Sequence, residues 1–144
     1  SMGGLVSRGA INRCAPAQSC DFLRSYVTLS TPWNGVDSAK TGVEVFKTPV
    51  PAWLELDPTS DYVTTLFDTE LPRNASFNLI FGFKQDGLFG SESSDGVILL
   101  KSQLRVAAQQ QASFMRGYDE DHTGIVSDPT VIAQVNEILD AQSQ

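Results

Sequence analysis

The chain has 144 residues, of which 41% are hydrophobic and 19% charged, and its formal net charge at pH 7 is -7. These values are typical of one soluble globular domain or of half of a larger one, and the negative charge argues against nucleic acid as a partner because phosphates would be repelled. No apolar run approaches the roughly 20 residues that a membrane-spanning helix requires, so the sequence predicts no transmembrane segment.

The first predicted element is a helix that begins directly after Ser1 and ends before Pro16. Leu5, Val6 and Ala10 would form its buried side, since apolar residues on one helical face pack against the core.

Two cysteines, Cys14 and Cys20, are near enough in sequence to close a small disulfide loop, and two free thiols are an equal alternative. A disulfide would favour a secreted or periplasmic protein, because such bonds persist in oxidising compartments. The compartment is otherwise open.

Several segments have the composition of β-strands. Residues 25–30 form a β-branched and aromatic run that ends in a turn, residues 77–83 are almost continuously apolar, and residues 113–118 are a third candidate. Residues 97–100 form a further short apolar run. A continuous apolar run suits a strand that is covered on both faces, so we expect an α/β fold with a mainly parallel sheet.

A long segment, residues 31–76, separates the first two strands, whereas such connections usually have about 2 to 6 residues. Its apolar residues, broken by prolines, are typical of a helical cap or lid over an apolar pocket, which we place at about residues 33–76. A long crossover helix packed on the sheet is the alternative. The candidate lid or substrate-pocket residues are Trp33, Trp53, Leu54, Leu66 and Phe67.

The last predicted helix starts at Pro129 with Asp128 as its N-cap. Its apolar stripe consists of Val131, Ile132, Val135, Ile138 and Leu139.

The first residues, Ser1-Met2-Gly3-Gly4, contain the second half of a G-x-S-x-G nucleophile elbow. The elbow holds a serine on a strained turn, where glycines avoid collision with the neighbouring strand and helix. On this interpretation Ser1 is the nucleophile, and the first glycine and its strand are expected upstream. An N-terminal Ser-Met is also a common remnant of cloning, so the residues downstream decide between the two interpretations.

His122 is the only histidine in the chain, so a Ser-His mechanism within these residues must use it. It follows a candidate strand, where α/β enzymes place working residues, although a solvated surface histidine is the alternative. Asp95, which follows the strand at 77–83, is the predicted carboxylate partner, and Asp86 is its rival. Either Asp-Gly pair is also compatible with a simple turn.

An acidic run, Asp119-Glu120-Asp121, precedes His122 and contains oxygen ligands of the kind that Ca²⁺ prefers. Adjacent carboxylates more often form a solvated acidic face, which is the interpretation we favour.

Four segments in this order resemble the C-terminal half of a lipase- or esterase-like α/β-hydrolase, over nearly the whole chain. They are residues 1–6 (SMGGLV), 28–35 (TLSTPWNG), 94–97 (SDGV) and 121–125 (DHTGI). The resemblance implies a catalytic triad of Ser1, Asp95 and His122, in the chain order of that fold, and an oxyanion-hole donor at the backbone N–H of Met2.

The resemblance also implies a serine ester hydrolase that acts through an acyl-enzyme on a lipid or another apolar acyl ester, with no cofactor and no metal. The substrate is a small molecule or a lipid, including one presented at a membrane surface. Acyl transfer to an alcohol and thioester cleavage use the same triad, and a non-catalytic binding domain on this fold is the alternative from another class.

The strand at residues 25–30 would lack its central neighbour in these 144 residues, and an exposed apolar strand edge promotes association. We therefore expect the chain expressed alone to be inactive and poorly folded. A free amino group on Ser1 could instead indicate an N-terminal-nucleophile hydrolase, but the downstream segments do not fit that class.

Overall fold

The structure, a computed structural model, describes residues 1–36, 55–84 and 92–142. Its elements are α1 (Met2–Cys14), β1 (Ser25–Leu29), α2 (Asp61–Thr64), β2 (Ser76–Gly82), α3 (Leu100–Gln103), α4 (Val106–Gln111), β3 (Phe114–Tyr118), a 3-10 turn (Gly124–Val126) and α5 (Pro129–Asp140).

Within the described residues the strands form one parallel sheet in the order β1-β2-β3. Tyr26 of β1 lies opposite Phe77 of β2, and Gly82 of β2 lies opposite Tyr118 of β3. Each connection is therefore a crossover, and the carboxyl ends of the strands lie at one edge. The predicted α/β class with a parallel sheet is confirmed.

Both faces of the sheet are covered, which explains why β2 is apolar almost throughout. On one face, α1 and α4 pack over Tyr26, Phe77 and Leu79. On the other face, Val131 of α5 packs with Ile80. Burial of each large apolar side chain contributes about 1.5 to 3 kcal/mol, so these two layers hold the sheet in place.

Helix α1 begins where the sequence predicts, but it buries a different face. Leu5, Arg8 and Ile11 face the core, whereas Val6 is 62% exposed and Ala10 is also exposed. The predicted burial of Val6 and Ala10 was wrong. Residues three apart share one side of a helix, and here that side carries an arginine in the middle of its apolar stripe.

The Arg8 side chain is buried and links α1 by hydrogen bonds to two distant segments of the chain. Its guanidinium donates to the Thr69 carbonyl oxygen at 2.6 Å and to Gln111 Oε1 at 2.5 Å. It also lies over the Phe67 ring, 4.7 Å from the ring centre. Burial lowers the pKa of Arg8, and the hydrogen bonds together with the aromatic face replace part of the lost hydration.

Helix α5 is capped as predicted. The Asp128 side chain accepts hydrogen bonds from two backbone N–H groups of the first turn, and Pro129 occupies the first turn. Val131 is buried, while Ile132 and Leu139 at the edges of the stripe are 45% and 48% exposed.

Cys14 and Cys20 form a disulfide, which decides between the two alternatives that the sequence left open. The bond closes a short loop between α1 and β1. In residues 1–36, 55–84 and 92–142, no helix has the length and apolar character needed to cross a bilayer.

The described part of the segment between β1 and β2 packs onto the core. Trp33 and Leu66 are almost fully buried, and α2 is a single short helix. Residues 37–54, which contain the predicted lid residues Trp53 and Leu54, lie outside the described residues. The cap or lid therefore stays a prediction.

Gly4 lies directly against the Thr31 side chain, which leaves no space for a Cβ atom. We expect Gly4→Ala to lower the free energy of unfolding by about 1 to 3 kcal/mol, because overpacking outweighs the better helix propensity of alanine. Thr31→Ala should recover part of this loss by removing two of the three clashing atoms. Denaturant unfolding of the full-length protein in a double-mutant cycle measures the coupling, and strictly additive effects would contradict it.

Candidate active site

The loops that follow β2 and β3 bring Asp95 and His122 into direct contact. Asp95 Oδ2 lies 2.7 Å from His122 Nδ1, and the His122 backbone N–H donates to the Asp95 carbonyl oxygen at 2.8 Å. Adjacent parallel strands release their loops at the same sheet edge, where α/β proteins commonly place their ligand sites. The structure thus pairs the carboxylate and the imidazole that the sequence singles out.

The Asp95 carboxylate is fully buried, with both oxygens hydrogen-bonded. Oδ1 accepts from the backbone N–H groups of Val97 at 3.0 Å and Ile98 at 2.7 Å, while Oδ2 faces the imidazole. Gly96 has a φ of +89°, a conformation that glycine adopts without steric cost. The glycine therefore lets the chain turn so that two N–H groups point back at the carboxylate, which offsets the cost of burying it.

The His122 ring is held at Nδ1, and its side chain is partly exposed. Its side chain is 16% exposed, and no other hydrogen bond of the ring occurs among the described residues. A carboxylate only accepts hydrogen bonds, so in the neutral ring Nδ1 carries the proton and Nε2 is the free base. That is the tautomer a general base requires.

The histidine loop is shaped by Asp121. Its Oδ1 accepts from the backbone N–H groups of Thr123 at 3.0 Å and Gly124 at 2.7 Å. The bond from Gly124, followed by those from Thr123, lowers the pKa of the Asp121 carboxyl below its usual value. In the described ranges, no group of three or more histidine, cysteine or acidic side chains is placed to hold a metal ion.

Ser1 lies at the same sheet edge, at the end of β1. It is the N-cap residue of α1, its hydroxyl makes no capping hydrogen bond, and its backbone nitrogen donates to the Leu29 carbonyl oxygen at 2.8 Å. No hydrogen bond joins Ser1 to His122 in the part of the chain described.

Met2 is the first residue of α1, as the oxyanion-hole prediction requires. The first backbone N–H groups of a helix have no partner within it and lie at its positive end, so they suit a developing negative charge. Two tyrosines fix this end of α1. Tyr26 Oη donates to the Gly4 carbonyl oxygen and Tyr62 Oη to the Leu5 carbonyl oxygen, each at 2.5 Å.

Burial raises the pKa of Tyr26 to about 12. The phenol is therefore a neutral donor at physiological pH, and the turn that carries Ser1 and Met2 is held by an uncharged hydrogen bond.

Ser30, just beyond β1, is a residue of this edge that sequence reasoning did not single out. It is almost fully buried, has a φ of +46°, and its hydroxyl is without a hydrogen-bond partner among the described residues. A positive φ is uncommon for a residue other than glycine, and it often marks a functional site. The sequence gives no signal of a positive φ at Ser30, since asparagine, aspartate and glycine are the residues that adopt it readily.

The predicted lid and pocket residues that the structure describes do not surround this site. Trp33 and Leu66 belong to the main core, and Phe67 packs against it. An open cleft of about 470 Å³ runs between α1 and the residues around Tyr62, and no residue of the predicted triad lines it. Asp86, the rival carboxylate, lies outside the described residues.

Comparison with protein families, curated proteins and solved structures finds no match for this chain. Any assignment of function therefore depends on the geometry of the site and on the motifs in the sequence.

Proposed function

We propose that these residues form the catalytic part of a serine ester hydrolase of the lipase- and esterase-like α/β-hydrolase type. The observation that carries the proposal is the 2.7 Å contact between the fully buried Asp95 and the only histidine of the chain. This pair lies at the sheet edge where α1 starts with Ser1. The residues follow one another in the order Ser, Asp, His, which is the order of this fold.

The proposed chemistry is that of a Ser-His-Asp triad. Ser1 Oγ attacks the ester carbonyl carbon while His122 Nε2 takes the hydroxyl proton, and Asp95 stabilises the imidazolium that forms. The intermediate then expels the alcohol, which takes the proton from His122 and leaves an acyl-serine. Water, activated by the same histidine, attacks the acyl-serine and releases the acid and free Ser1.

The negative charge of the tetrahedral intermediate requires hydrogen-bond donors. The Met2 backbone N–H follows the nucleophile directly and lies at the N-terminus of α1, so we assign it to the oxyanion hole. One such donor typically contributes about 2.7 to 4 kcal/mol of transition-state stabilisation.

The substrate class is inferred from the apolar composition of the segment between β1 and β2, which favours a lipid or another apolar acyl ester. Transfer of the acyl group to an alcohol and cleavage of a thioester proceed through the same acyl-serine. Product analysis with water and an added alcohol as competing acceptors separates these reactions.

The disulfide between Cys14 and Cys20 favours an extracytoplasmic location for this activity, because cytosolic thiols are kept reduced. We therefore propose that the esterase is secreted or periplasmic.

Ser1→Ala and His122→Ala should each lower kcat for a chromogenic ester by at least about 10⁴-fold, because each removes a member of the triad. Steady-state kinetics on the full-length protein is the measurement, and Ser113→Ala, which changes an exposed serine, is the matched control. Retention of most activity in either triad variant would refute the assignment. Absence of turnover in the unmodified protein would favour the non-catalytic binding domain.

Asp95→Asn tests the orienting role separately. The amide nitrogen can donate to Nδ1, which places the ring proton on Nε2 and removes the base, so kcat should fall by about 10⁴-fold with little change in KM. Asp119→Asn, at an exposed carboxylate of the same loop region, should behave like the unmodified protein. A loss smaller than about 10-fold in Asp95→Asn would contradict the role that we give to this carboxylate.

A further inference from the structure

Gln103, the last residue of α3, is almost completely buried, and its side-chain amide bonds only to backbone groups. Nε2 donates to the Gly82 and Ile98 carbonyl oxygens, both at 3.1 Å, and Oε1 accepts from the Gly82 N–H at 3.2 Å. Both N–H groups of the amide and its oxygen are therefore used, as a buried amide requires.

The position of Gly82 explains why such an amide is needed there. In β2, the Ile80 carbonyl oxygen accepts from the Ser30 N–H on the β1 side, and Gly82, two residues later, presents its backbone groups to the same side. However, β1 has ended at Leu29, and Pro32 has no N–H to offer. The Gln103 amide provides both partners that a longer β1 would have supplied.

The amide nitrogen of Gln103 also contacts the loop that carries Asp95. Ile98 accepts from Gln103 at its carbonyl oxygen, which also accepts from the Asp95 N–H at 3.2 Å. The N–H of the same residue donates to Asp95 Oδ1 at 2.7 Å. A single residue, Ile98, thus links the Gln103 amide to both the backbone and the side chain of Asp95.

We propose that Gln103 is a positioning residue that sets the distance between Asp95 and His122 by tying the acid loop to the carboxyl end of β2. The role rests on the proposed hydrolase function, because it acts through the triad and not on the substrate. The Gln103 amide fixes the position of the Ile98 carbonyl oxygen relative to Gly82. The Ile98 N–H in turn holds the Asp95 carboxylate in the orientation in which it faces His122 Nδ1.

The test uses the hydrogen bond itself as its readout. His122 is the only histidine among these 144 residues, and its Nδ1–H proton, bonded to a buried carboxylate, gives a far-downfield signal in the NMR spectrum of the full-length protein that is identified by its loss in His122→Ala. In Gln103→Met, which keeps the volume and removes the amide, this signal should move upfield or be lost through exchange. We also expect kcat to fall about 10- to 100-fold with KM changed by less than about 3-fold, as misplacement of a catalytic group does.

Gln109→Met is the matched control. The Gln109 side chain also donates to a backbone carbonyl oxygen, that of Leu104, and among the described residues it makes no hydrogen bond to the acid loop. This variant should keep the signal and kcat. Gln103→Glu keeps the acceptor toward the Gly82 N–H and loses the donors, so it provides the same readouts if Gln103→Met does not fold.

An unchanged His122 signal and an unchanged kcat in folded Gln103 variants would overturn the proposal, as would an equal loss in Gln109→Met. The NMR readout needs no substrate. If the unmodified protein hydrolyses no ester but Gln103→Met still loses the signal, the hydrolase proposal fails and only the structural link from Gln103 to the Asp95–His122 pair stands.

Discussion

The hydrogen bond between Asp95 Oδ2 and His122 Nδ1 is the constraint on which the rest of the site depends. It joins the loop after β2 to the loop after β3, and it can form only because these strands are adjacent and parallel. The two loops converge over Gly82, where an added Cβ atom would lie 2.6 Å from the Glu120 carbonyl oxygen and 3.1 Å from Asp95 Cβ. The glycine at the end of β2 is therefore part of the same constraint.

A buried carboxylate is stable only when its oxygens are satisfied, and this requirement organises the surrounding loop. Two backbone N–H groups hold Oδ1, and the imidazole holds Oδ2. The start of α1 is fixed independently, by tyrosine hydroxyls that donate to its first carbonyl oxygens and by the Arg8 side chain in its middle. Two separately anchored elements thus meet at one sheet edge, which is the arrangement that a nucleophile and its base require.

The three strands, the first and last helices and the Asp-His pair were predictable from the sequence. Strand composition located β1, β2 and β3 to within about a residue at each end, and the proline and aspartate at the start of α5 marked that helix correctly. The pair was found because the chain offers one histidine, and because functional loops follow strand ends in α/β folds.

The features that sequence reasoning missed depend on tertiary context. A buried arginine in α1 contradicts the apolar pattern, since Arg8 is stabilised by partners from distant segments, at Thr69 and Gln111. The positive φ of Ser30 and the role of Gln103 follow from where β1 ends against β2. The state of Cys14 and Cys20 was left open because spacing alone permits either outcome, and burial of Trp33 follows from aromatic contacts across the core.

The central claim is that Ser1 is a serine activated by His122. The most direct measurement is labelling of the full-length protein with a fluorophosphonate, followed by mass spectrometry of the modified peptide, since only an activated serine reacts readily. The account predicts one covalent adduct on Ser1 that is absent in His122→Ala. An unlabelled Ser1, or equal labelling in the presence and absence of the histidine, would contradict it.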